Sequence, residues 1–334
     1  MSNEKHSRIG SIIGVMVSVL IFAAAGWVVL NAQYIFDQLR VWQYQPSTAV
    51  ASIYDRSGLS NKGQFYFYAS NPVVDSATTF DANCQKQEAK SAILGCYSLG
   101  KIYIREVTNR QLDGIEEVTA AHETLHVIWE RMSDSDKKSV GTLLETEYQK
   151  INSPALKERM AYYDRNEPGE HFNELHSILG TEVPDLGSAL EAHYGQYFAN
   201  RSKVIALHSG YQQLFDSVQT QADTLLAELN ALVADLNTSS VQYNDDAASI
   251  SADSTVLKNS ASSVDRTSAS EVNAYDAARQ ALIIRINQLE TLRAAIDTKS
   301  ETYRTKLAEY NKLVVQSNEL MKSLDGTLAS PPSL

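Results

Sequence analysis

The chain has 334 residues, with 40 acidic against 29 basic side chains and a formal net charge of −11. That length holds one sizeable domain and something more. The acidic balance, with no basic phosphate-tracking face, excludes a nucleic-acid binder.

The first element is "IGSIIGVMVSVLIFAAAGWVVLNA", Ile9 to Ala32, with no charged residue between Ile9 and Leu30. A helix of that length spans a hydrocarbon layer of about 30 Å, and Trp27 suits its far interface. The run exceeds a usual signal-peptide core and lacks a clean small-x-small cleavage site, so an uncleaved transmembrane anchor is expected over residues 1–32. Lys5 and Arg8 precede it and Arg40 alone follows soon after. The N-terminus is therefore expected in the cytoplasm, with the rest of the chain outside.

Residues 33–48, polar and carrying Pro46, read as a stalk, and from about 49 the texture is globular. "GQFYFYAS" (63–70) and "KIYIREV" (101–107), aromatic and β-branched, read as strands. Cys84 and Cys96 are the only cysteines. Outside the cytoplasm an even pair suggests one disulfide closing a short loop, against two unlinked buried thiols. Ile115, Val118, Ala121, Leu125, Ile128, Trp129 and Met132 recur at helical spacing. A second helix follows Ser133-Asp134, and further helices fall at 154–163, 170–179 and 186–200, separated by Asn166, Pro168, Gly169 and Pro184. A few strands followed by many helices make an α+β domain over 49–200.

Beyond residue 201 Pro and Trp vanish until the tail, and Val204, Leu207, Tyr211, Leu214, Val218 and Leu225 alternate at three and four. After a four-residue skip the pattern resumes, and Tyr275, Leu282, Leu289, Ile296, Tyr303 and Tyr310 step by seven. These are heptads with a stutter. The Ser-rich stretch 258–271 between them marks the tip of an antiparallel helical hairpin, a coiled coil over 201–326, with a tail at 327–334. Arg279 and Arg293 at inward positions imply a seam that is not uniformly packed.

Within the first globular helix lies His122-Glu123-Thr124-Leu125-His126. Residues four apart share a helix face, so two imidazoles there can ligate one tetrahedral Zn²⁺. Glu123 points around the helix, where it reaches water at the metal without ligating it and serves as general base. The alternative is a helix whose two histidines make ordinary hydrogen bonds. A third ligand must come from "PGEHFNELHSILGTEVPDLGSALEAHYGQYFANR", where Glu170, His171, Glu174, His176, Glu191 and His193 crowd together. His193, Tyr194, Tyr197, Tyr162 and Tyr163 are candidate donors to a developing oxyanion, or aromatic packing.

The motif resembles the HExxH of zincin metallopeptidases, and "NELHS", Asn173 to Ser177, is similar to the N-E-x-x-S of thermolysin-like gluzincins. The resemblance covers these two motifs. It implies a mostly helical zincin-like domain with a small N-terminal sheet, zinc held by His122, His126 and Glu174, and Glu123 as base. His176 is the alternative ligand. Where the family has an aspartate four residues beyond the ligand glutamate, this chain has Ile178. The function implied is a membrane-anchored, extracytoplasmic zinc peptidase acting on a peptide or protein substrate. The competing reading is a structural envelope protein that works through its coiled-coil hairpin, by a partner or by self-association, with a zinc-binding domain of little or no catalytic activity. An intramembrane protease is excluded, because the motif lies about ninety residues beyond the apolar span.

Overall fold

A computed structural model of the chain describes residues 3–84 and 94–324, with side chains from Met16 onward. The tail at 327–334 lies outside the described residues. The described residues fall into two compact units, 3–214 with 320–324, and 215–319.

The first unit opens with helices α1 (Asn3–Leu30) and α2 (Ala32–Gln43). Among the described residues no single helix is long and apolar enough to cross a membrane; Met16–Leu30 and Ala32–Gln43 pass that test only as a pair bent by 71°. Residues 33–48, expected as a stalk, lie mostly in α2, whose Asp37 is buried against Arg131. A segment that buries a paired charge belongs to the fold and not to a tether.

Helices α3 (Thr48–Ser57) and α4 (Asn61–Ala69) follow. Each starts at a serine whose side chain accepts a backbone N–H, Ser47 from Val50 and Ser60 from Gly63. The expected strand at 63–70 is therefore helical. Its aromatic run misleads because the rings pack in several directions: Phe65 on Tyr34, Tyr66 on Tyr197, and Tyr68 on Tyr44. A helix covered on several sides loses its amphipathic period.

Strand β1 (Val73–Asp75), helix α5 (Ala77–Asn83), and strands β2 (Gly95–Ser98) and β3 (Lys101–Arg105) come next. The sheet order is β1-β3-β2. β1 runs parallel to β3, with Val73 opposite Tyr103, and β2 runs antiparallel to it, with Cys96 opposite Tyr103. A disulfide between Cys84 and Cys96, with Cα atoms 6.0 Å apart, ties the end of α5 to β2.

Helix α6 (Ile115–Arg131) runs through the middle of the unit, with Ala120, Leu125 and Val127 fully buried. Around it lie α7 (Asp134–Tyr148), α8 (Pro154–Asn166), α9 (His171–Glu182) and α10 (Ser188–Tyr194). α7 and α8 begin where sequence predicts, at capping Ser133 and Ser153, the latter with Pro154 in the first turn. α10 is shorter than the 186–200 expected; the chain turns there and Phe198 bridges Leu59. α6 packs most extensively on α9. Gly180 allows this approach, since a Cβ there would lie 2.4 Å from Leu125 Cδ1.

Helices α11 (Arg201–Ser260) and α12 (Ala269–Leu324) supply the second unit. They pair antiparallel: Glu228 with Lys306 at 2.7 Å, Asp235 with Lys299 at 2.8 Å, and Asp253 with Arg285. The break at 261–268 falls inside the Ser-rich stretch read as the tip, and Asp265 Oδ1 accepts from the Thr267 N–H at 2.9 Å.

Candidate metal centre

His122 and His126 stand one turn apart on α6, ring centroids 4.9 Å apart and planes at 73°. Together with Glu123 they form a group able to hold a metal ion, one ligand atom from each lying within 4.8 Å of the others. Glu123 is buried, while the two histidines are only partly so.

α9 brings Glu174 to the same point. Its Oε1 lies 3.6 Å from His126 Nε2 and its Oε2 lies 3.9 Å from His122 Nε2. Both separations are too long for hydrogen bonds. Ligands about 2.0–2.2 Å from a shared tetrahedral zinc would sit roughly 3.4 Å from each other, slightly inside the distances seen. Glu174 Oε2 is buried without a hydrogen-bond partner. A buried carboxylate oxygen left so is costly, and a proton, a water or a cation relieves that cost. The donor set of two imidazoles and a carboxylate fits such an ion.

The first and last residues of the N-E-x-x-S match hold His126. Asn173 Oδ1 lies 2.9 Å from His126 Nδ1, and Ser177 Oγ lies 3.3 Å from it. Asn173 is itself fixed, donating from Nδ2 to Glu170 Oε2 at 2.7 Å. With Nδ1–H donated to the Asn173 carbonyl, the Nε2 lone pair faces Glu174. Residues 173 and 177 fall on one face of α9, so this role was open to a sequence reading that asked what holds the ligands.

Glu123 is held by β2, whose Tyr97 backbone N–H donates to its carboxylate. Gly95 lets the strand come this close. A Cβ there would lie 2.5 Å from Thr119 Cγ2 and 2.8 Å from Glu123 Oε1. Nothing in the sequence around residue 97 signals the contact, which joins segments far apart in the chain.

Burial sets the charges. It pushes the Glu123 carboxyl up to about 7 and raises that of Glu174. Burial and the neighbouring His126 depress His122 well below the ordinary histidine range, keeping its ring neutral. Burial also pulls on His126, but the Glu174 and Glu123 carboxylates and Asn173 outweigh it and raise its pKa. Arg159 on α8, paired with Glu182 at 2.6 Å, adds positive charge near both His122 and Glu174.

The other candidates are engaged elsewhere. His176 Nε2 lies 2.9 Å from His193 Nε2, with the His176 ring between Trp129 and Tyr194. His171 contacts Asp164 at 2.7 Å and Glu145 at 3.2 Å, and Glu191 pairs with Arg201. Of the proposed oxyanion donors, Tyr194 is fully buried and donates to the His176 carbonyl at 2.8 Å. Tyr197 and His193 line a separate cavity of about 390 Å³, alongside Ile128 and Met132 of α6.

No family model, curated protein or solved structure matches the chain. The likeness to zincins stays with the two motifs, and the functional reading rests on the geometry above.

Proposed function

We propose that the chain is a zinc metallopeptidase of the zincin kind, anchored at a membrane by its N-terminal helix with its catalytic unit outside the cytoplasm. The observation that carries this reading is the meeting of Glu174 with both Nε2 atoms, one of its oxygens buried and unpaired. One cation would satisfy the carboxylate and both imidazole nitrogens together, displacing any proton shared between His126 and Glu174. Two nitrogens and one oxygen suit zinc. His122, His126 and Glu174 would be its ligands in this reading, leaving a tetrahedral ion one position for water or substrate.

Zinc held there would polarise a peptide carbonyl and acidify water. Glu123 supplies the proton traffic. Its carboxylate would accept a proton from the attacking water and return it to the departing amine nitrogen. The Tyr97 N–H fixes that carboxylate beside the two histidines. Among the described residues β2 is an edge strand of the sheet, and a peptide laid along it would run beside Glu123. Support for the anchor comes from α1, where Phe22, Val29 and Leu30 are 77%, 74% and 87% exposed.

The alternative is an envelope protein working through its long helices. In that alternative Glu123 would join His122 and His126 as a structural ligand; its bond from the Tyr97 N–H favours the role of base instead. The hairpin serves in our reading to recruit a protein partner or a second copy.

The test is Glu123→Gln. The purified protein should hold close to one zinc per chain in both forms by elemental analysis. Peptide hydrolysis should fall by about 10²–10⁴-fold in the variant. Undiminished hydrolysis overturns the assignment, and absence of zinc from the wild-type protein overturns the metal.

A further inference from the structure

Helix α2 is built inside out. Its fold-facing side carries charge: Asp37, 1% exposed, accepts from Arg131 Nε at 2.6 Å and Nη2 at 2.9 Å, and Arg40 Nη1 donates to the Gly100 carbonyl at 3.2 Å. Its outer side carries Phe36, Leu39 and Trp42, 62%, 43% and 85% exposed. At 3.6 residues per turn these three fall within an arc of about 120°. A helix on a water-facing surface has the opposite arrangement.

A second element shows the same preference. The β2–β3 turn places Leu99 at φ 52° and Gly100 at φ 76°. Consecutive left-handed residues in a hairpin turn call for Asn-Gly or Gly-Gly, and a leucine there is strained. Leu99 is nonetheless fully exposed, so the fold gains nothing from its side chain. The Arg40 bond to Gly100 holds this turn against α2.

We infer that α2 and the β2–β3 turn form a membrane-contact face, with Phe36, Leu39, Trp42 and Leu99 seated at the boundary between lipid headgroups and acyl chains. The inference rests on reading α1 as a membrane anchor. α1 ends at Leu30 and α2 begins at Ala32 with a bend of 71°, so a helix crossing the bilayer near its normal delivers α2 close to the membrane plane. Trp42 suits that depth, with an apolar ring body and one polar N–H. Lipid is the occupant that also covers α1, whose exposed Val29 and Leu30 immediately precede α2 in the chain. The Asp37–Arg131 pair then ties the helix of the metal motif to this surface, and holds the centre at a set height above the bilayer.

The experiment uses the full chain, whose two native cysteines are bonded to each other. Single spin labels are placed by Val19→Cys, Trp42→Cys, Leu99→Cys and Lys150→Cys. The proteins are reconstituted in vesicles of phosphatidylcholine and phosphatidylglycerol, and accessibility to oxygen and to a nickel chelate is read by power saturation. The inference expects label 19 deep, labels 42 and 99 at interfacial depth and several-fold less open to nickel than label 150, which stays in water. Label 19 deep with 42 and 99 as open to nickel as 150 overturns the contact face and leaves the anchor standing. Label 19 in water overturns the anchor reading itself. Labels 42 and 99 shielded from both reagents, with broadening between like labels, would assign the face to a second copy and overturn the lipid assignment.

Discussion

Glu174 and His176 stand two residues apart on α9 and meet different surroundings. Glu174 lies 3.6 and 3.9 Å from two imidazole nitrogens, whereas His176 is stacked on Tyr194 and bonded through Nε2 to His193. Glu174→Ala should therefore release metal to a mild chelator while His176→Ala retains it, as read by chelator competition on the two purified variants. The reverse order would move the third ligand to His176. His193 has a separate consequence. Burial lowers its pKa from 6.5 to about 4, so the folded state refuses a proton that the unfolded chain takes up. Its contribution is complete above about 6.5 and drains away as the pH falls toward 4. Glu123, raised from 4.5 to about 7, acts with the opposite sign over a similar range. A comparison with His193→Gln reads the histidine together with His176, which it contacts at 2.9 Å. From pH 7 to pH 5 the wild-type protein should lose stability relative to this variant, by at most about 1.4 kcal/mol per pH unit. A pH-independent difference between the two in denaturant unfolding would contradict it.

At the scale of elements, what was legible in the sequence depended on whether a segment buries one face or several. α6 through α9 read correctly because serine caps, a proline in the first turn and a three–four apolar spacing are all local signals. α4 did not, because its aromatic rings find partners in different directions, and the run passes for a strand. α2 did not either, because its buried residue is a charge. Asp37 belongs to the interior only once Arg131 is brought to it, and the two lie 94 residues apart. Removing one partner of a buried ion pair leaves the other uncompensated, typically at a cost of 3–5 kcal/mol. Asp37→Ala should lower the thermal midpoint of the first unit while leaving the helical signal of the second intact. Calorimetry with circular dichroism separates the two transitions, and an unchanged first transition would return α2 to the role of a tether.

At the scale of the whole molecule, the long helices of the second unit run antiparallel through Glu228–Lys306 and Asp235–Lys299. Spin labels replacing Glu228 and Lys306 in the full chain should lie within about 10–15 Å, near the 8–10 Å spacing of packed helices plus the label arms. A separation several times larger, with helicity retained, would mean that the helices pair between chains. The heptads, the polar break between them and the two histidines four apart were determined by sequence alone, because the helical period is local and needs no partner. The cysteine pairing was legible for a simpler reason: with two thiols there is one way to join them. Tertiary structure alone decided that Glu174 meets His122 and His126, that Asn173 bonds His126 Nδ1, and that the Tyr97 N–H bonds Glu123. Each of these joins segments whose separation is set by how α9 and β2 pack on α6. The proton affinity of Glu123 was decided in the same way, since desolvation is a property of the surroundings that the fold assembles, and the motif by itself carries no information about it.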